Sequence, residues 1–97
     1  MNLQAMMQQA QKLQRDMMKS KEEIDSKTFT SKQSLVEIEM KGNKEVIRVK
    51  INAEELSKDD IEMLEDMIML AVNENVKNIN KETEQKMGKF GGVAGLL

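Results

Sequence analysis

The side chains of this chain that could do chemistry are few in kind. The 97 residues include 15 Lys and Arg, 17 Asp and Glu, and neither His nor Cys. Without imidazole or thiol, the commonest general base and the commonest metal ligands are missing. Ser34 and Ser57 therefore have no His to activate them. What remains is charge, and it is unevenly placed. In residues 1–21, Lys12, Arg15, Lys19 and Lys21 stand against Asp16 alone, a side-chain sum of +3. In residues 77–97, Lys77, Lys81, Lys86 and Lys89 stand against Glu82 and Glu84, a sum of +2. Between them, residues 52–76 set Glu54, Glu55, Asp59, Asp60, Glu62, Glu65, Asp66 and Glu74 against Lys58, a sum of −7. Lys12, Arg15 and Lys19 are spaced to share one side of a helix. Such a ridge suits the phosphates of a nucleic-acid backbone. It equally suits a solvated helix face balanced by Asp16, Glu22 and Glu23. Lys77 and Lys81, one turn apart, form a second candidate, although lysines near a helix C-terminus also answer the helix dipole.

Other ligands are poorly served. Glu62, Glu65 and Asp66 lie on one helical face, but no EF-hand or phosphate-loop spacing surrounds them. The acidic cluster reads as dipole compensation at a helix start, and no metal or cofactor is expected. Phe29 and Phe90 are the only aromatics, so there is no platform for stacking single-stranded bases. No apolar run is long enough to span a membrane, and MNLQAMMQQAQ lacks the pattern of a signal peptide. The expected compartment is the cytoplasm. Neither an enzyme nor a binder of small-molecule substrates is expected.

The elements that must position these charges follow from periodicity. Residues 2–25 read as an amphipathic helix. Leu3, Ala10, Met17 and Ile24 repeat every seven residues, Met6 and Leu13 fill the second seam position, and Ser20 interrupts it. Residues 26–33 are a polar connection with room for a short strand around Phe29. Val36, Ile38 and Met40 alternate with Glu37 and Glu39; Ile47, Val49 and Ile51 alternate with Arg48 and Lys50. Gly42-Asn43 joins the two runs as a turn. The hairpin could pair Glu37 and Glu39 with Arg48 and Lys50 across its strands. Ser57 then stands as helix N-cap, with Asp60 three residues on. A Gly- and Pro-free stretch to Met87 carries Ile61, Leu64, Ile68, Ala71, Val72 and Ile79 as its apolar stripe, with Asn75 an exception within it; Met63, Met67 and Leu70 widen it in the first half. Gly88 supplies a stop. The fold class is α+β: an N-terminal helix, a small antiparallel sheet of two to three strands and a long C-terminal helix. Residues 1–88 form one domain, and the Gly-rich residues 89–97 form a mobile tail.

A helix from Ser57 to Met87 would run about 46 Å. A compact chain of this size has a radius of gyration near 13 Å. The helix must project or find a second chain. The candidate packing residues, in the core or between copies, are Val36, Ile38, Ile47, Val49, Ile51, Leu64 and Ile68.

Four segments together resemble the YbaB/EbfC family of bacterial nucleoid-associated proteins. They are MNLQAMMQQAQKLQ, GNKEVIRVKI, LEDMIMLAVNENVKNI and the closing MGKFGG. The chain departs where the family often has Asp-Pro after the last strand, since Asn52-Ala53 stands there, and in a tail without Pro. The resemblance implies a homodimer joined through its sheets, with the helices projecting as arms. It also implies that the arms bind double-stranded DNA, with a role in nucleoid organisation or gene regulation. Lys12, Arg15, Lys19, Lys21, Lys77 and Lys81 are the residues that would carry this. The alternative is a helical dimer that docks other proteins through its wide Met-rich stripe and never touches DNA, which the net charge of −2 favours.

Overall fold

The computed structural model describes residues 2–91. Helix α1 (Leu3–Ser26) leads into a meander of β1 (Thr28–Gln33), β2 (Val36–Lys41) and β3 (Val46–Ile51), followed by helix α2 (Asp60–Met87). The sheet is antiparallel in the order β1-β2-β3. The polar connection holds a full six-residue strand, β1. The protein is long and thin, 71 × 18 × 15 Å, with a radius of gyration of 19.3 Å. That exceeds the compact value by half, as the length of the second helix required.

The helices form where helix-forming residues repeat at the right period. Asn2 caps α1, its side chain accepting from the Ala5 amide at 2.7 Å. The start of α2 differs from expectation. Its N-cap is Asp59, whose side chain makes no capping bond. Ser57 lies in the preceding turn, and its amide and hydroxyl both donate to the Asp60 carboxylate, at 2.9 and 3.0 Å. The acid reaches back to the serine, so the helix starts later. At the other end, α2 does stop after Met87, but Gly88 keeps right-handed angles. The chain tightens into a 3₁₀ turn over residues 88–91, and Gly91 takes the positive φ of 61°. This turn carries order beyond the expected boundary of the domain, because Phe90 is buried. The rest of the expected tail, residues 92–97, lies outside the described residues.

Two apolar clusters hold the chain together. In the first, Val36 and Ile38 of β2 and Ala71 of α2 are fully buried, with Leu64, Met67, Ile68 and Val72 packed against them. In the second, Met17 and Ile24 of α1 meet Met87 and Phe90. Burying such side chains contributes about 1.5–3 kcal/mol each. Ser20, the interruption in the α1 seam, is itself buried.

Two buried side-chain hydrogen bonds pin α2 to the sheet. Ser31 on β1 donates to the Ala71 carbonyl, and Asn75 donates through Nδ2 to the Ile38 carbonyl at 2.9 Å. The exception in the apolar stripe of α2 is therefore a cross-link between layers. The turn glycine Gly42 also does more than turn. Its amide donates to the Lys27 carbonyl at 2.9 Å, and a Cβ at this position would lie 1.8 Å from the Ile24 carbonyl oxygen. Only glycine allows the end of α1 to seat on the β2–β3 hairpin.

The strands divide the candidate packing residues. Val36 and Ile38 are fully buried, and Leu64 and Ile68 are half-buried. Ile47, Val49 and Ile51 do not join the core of the single chain, because every residue of β3 is exposed. The register explains this. Val49 stands opposite Ile38 and Ile51 opposite Val36, so both share the helix-covered face. Yet α2 crosses β1 and β2 without reaching β3 among the described residues. A bulge opposite Glu39 and Met40 makes Ile47 the extra residue of β3. The expected cross-strand charges do align: Glu37 faces Lys50 and Glu39 faces Arg48. Only the Arg48–Glu39 pair closes, at 3.5 Å. Both side chains are solvated, so it contributes little.

Candidate nucleic-acid interface

Helix α2 runs back along the second half of α1, and its last turns meet Met17 and Ile24. Two ion pairs rivet this part of the arm: Lys86 to Glu23 at 3.3 Å, and Lys27 to Glu82. The first half of α1, residues 3–16, then continues alone for about 20 Å, with Ala5 alone partly covered.

The cationic ridge sits on this helix. Met17, Ser20 and Ile24 turn towards α2. At 3.6 residues per turn, Lys12, Arg15 and Lys19 fall on the opposite side, and all three are exposed. None of them makes an ion pair among the described residues. Lys21 is separate from them. It lies on another flank and pairs with Asp25 one turn on, at 3.4 Å.

The second set, Lys77 and Lys81, is also exposed. Ala71, Asn75 and Ile79 mark the buried side of α2, so these lysines point away from α1. Lys77 lines a shallow depression with Gln33, Asn73 and Glu74, where Gln33 donates to the Glu74 carboxylate at 2.6 Å. The structure thus does not bring the two basic sets together: they occupy opposite outer sides of one helix pair. It brings Lys89 to the α1 set instead. Lys89 and Phe90 line one depression with Leu13, Asp16, Lys19, Ser20 and Glu23. Sequence spacing could not show this, because only the burial of Phe90 turns the chain end towards α1. Asp16 and Glu23 temper the same surface. The acidic start of α2 lies at the sheet end of the molecule, away from the ridge. Among the described residues, no group of three or more His, Cys, Asp or Glu side chains could hold a metal ion. No helix there is long and apolar enough to cross a membrane.

The fold is a cationic helical arm on a small α+β base. Comparison with known proteins gives the family. Residues 1–94 match the YbaB/EbfC DNA-binding family, and the chain belongs to it. The chain is 47% identical to a nucleoid-associated protein of Lactococcus lactis subsp. cremoris, over 93% of each chain. It is 43% identical to one of Streptococcus thermophilus, over 95% of each chain, and 38% identical to one of Pelotomaculum thermopropionicum, over 94% of this chain and 89% of that one. The fold matches the crystal structure of an uncharacterized protein, HP0035, from Helicobacter pylori, with a TM-score of 0.77 at 18% identity. That match covers 95% of this chain and 99% of the other.

Proposed function

We propose that this chain is a nucleoid-associated protein of a bacterium that binds double-stranded DNA as a homodimer, through phosphates rather than base edges. One observation carries the reading: the exposed ridge of Lys12, Arg15 and Lys19, none of them in an ion pair among the described residues, on a helix that projects into solvent. Lys89 extends that ridge, and Lys77 and Lys81 supply weaker contacts from the other side of the arm. The family and its nucleoid-associated relatives support DNA as the partner. The role is binding, in nucleoid organisation or gene regulation, and not catalysis. With one Arg on the ridge and no recognition-helix motif, selectivity rests on duplex shape more than on sequence.

The dimer half of the proposal is supported by β3. Val49 is 51% exposed and Ile51 39%, although both share a face with fully buried strand neighbours. An uncovered edge strand of this kind is a liability unless another chain covers it. A second copy that adds its own sheet would bury both rows and leave the arms free.

The test is duplex binding at about 50 and about 200 mM salt. If four to six phosphates are neutralised per dimer, log K falls against log salt with a slope of roughly −4 to −5. Replacing Lys12, Arg15 and Lys19 by Glu should abolish binding while leaving the mass in solution unchanged. A slope near zero, or a triple variant that binds normally, would overturn the reading. It would leave the protein-docking scaffold as the better account.

A further inference from the structure

We propose that the free first half of α1 is a second interaction surface, whose partner is the same segment of another copy in antiparallel pairing. Leu3, Met6, Ala10 and Leu13 continue the seam that α2 occupies at Met17, Ser20 and Ile24. Among the described residues Leu3, Met6 and Ala10 are left exposed and only Leu13 borders another segment, the depression beside Phe90: Leu3 is 71% exposed, Met6 49% and Leu13 41%. The helix end is finished, because Asn2 caps it.

The choice of a second copy rests on charge and register. Residues 2–11 contain no ionisable side chain; their polar positions are one Asn and four Gln. Two copies can approach without opposed like charges, and Gln neither selects nor repels a charged partner. In a two-fold antiparallel pair centred near Gln8, Leu3 faces Leu13 of the other copy and Met6 faces Ala10. Large residues then meet either each other or a small one, as knobs-into-holes packing needs. In the same register the flanking Met7, 55% exposed, falls level with Gln9 of the other copy. The seam lies opposite Lys12, Arg15 and Lys19 on the same helix, so pairing leaves the ridge free. The surface also lies at the far end of the 71 Å molecule from β3. A chain with two self-complementary surfaces at opposite ends builds open assemblies rather than one closed dimer. Resting on the DNA reading above, one further consequence follows. Paired arms would present their ridges on opposite outer sides, so joined dimers would hold two duplexes together. The pairing itself does not depend on that reading.

Two heptads make a short contact, weak in free solution and stronger where copies are held side by side. The experiment is therefore sedimentation of the full chain without DNA, up to about millimolar concentration, where contacts with dissociation constants near 1 mM become visible. The expected result is a mass that rises with concentration above the starting species. Met6→Glu and Ala10→Lys should each weaken that step by about tenfold or more, since each places an unpaired charge in two apolar layers. Both positions are exposed, so melting temperatures should not change. Mixing the two variants should restore the step, because position 6 of one copy meets position 10 of the other. A flat mass for the unaltered chain, an undiminished rise for Met6→Glu, or no restoration on mixing would each overturn the proposal. So would a rise that appears only after residues 92–97 are deleted, which would make the chain's own end the occupant. Loss of DNA binding with the mass series intact would refute the DNA reading alone.

Discussion

Replacing Asn75 by Asp tests whether α2 is pinned to the sheet by one amide. Asn75 is fully buried. Its Nδ2 donates to the Ile38 carbonyl at 2.9 Å, and its Oδ1 has no partner among the described residues. Asn75→Asp changes almost no volume but exchanges the donor for an acceptor facing an acceptor. Near neutral pH it also buries an unpaired charge, so the expected loss of stability is about 3–5 kcal/mol. The sign of its pH dependence follows from burial. The introduced carboxyl titrates above its unfolded value of about 3.9 when folded. Between the two values the folded state holds a proton that the unfolded state has released. The variant's stability relative to the unaltered chain therefore falls by about 1.4 kcal/mol per pH unit as pH rises through that window. Below about pH 4 the neutral acid can donate its O–H to Ile38, and most of the deficit should vanish. Asn75→Leu provides the contrast. It strands the Ile38 carbonyl but removes the orphaned Oδ1, two terms of about 1–3 kcal/mol each that nearly cancel. The assay is urea unfolding at pH 4 and pH 7 at one fixed protein concentration, since association shifts apparent stability. A deficit for Asn75→Asp below about 1 kcal/mol at pH 7, or an equal deficit at both pH values, would refute the pin.

Other perturbations follow from the same packing. Gly42→Ala forces a methyl to within 1.8 Å of the Ile24 carbonyl oxygen, so the melting temperature should fall by at least about 8 °C, the effect of roughly 2 kcal/mol in a domain of this size. Val49→Lys places a charge on the exposed β3 row; light scattering should show half the mass, while circular dichroism stays unchanged. Phe90→Ala removes the anchor of the chain end, a truncation that costs about 3 kcal/mol in a core. Hydrogen exchange should show the loss confined to the last turns of α2, with the sheet still protected.

The helices and the β2–β3 hairpin were legible because their signals are periodic and local. Leu3, Ala10, Met17 and Ile24 recur at a helical interval, and Val36, Ile38 and Met40 alternate whatever lies above them. β1 was legible only as a possibility. Its sequence TFTSKQ has no alternating apolar row, and Ser31 earns burial through one bond to Ala71 rather than through hydrophobicity. Asn75 read as a flaw and Gly42 as a turn because their roles depend on Ile38 and Ile24, which only the tertiary structure brings near. Ser57 misled for a related reason: either end of a Ser-x-x-Asp pair can reach for the other. At the candidate interface, spacing showed that Lys12, Arg15 and Lys19 share a side. It could not show that Lys77 and Lys81 face the other way, or that Phe90 delivers Lys89 to the ridge.

The shape of the chain also governs how it diffuses and scatters. A radius of gyration of 19.3 Å belongs to a compact globule of about 300 residues, three times the length of this chain. The angular decay of X-rays scattered from such a rod would mimic that of a compact protein three times its length even when it is alone, while its drag would rise far less. Tumbling would be anisotropic, slow end over end and fast about the long axis. Amide groups along α1 and α2 would therefore relax differently from those whose bonds lie across the rod.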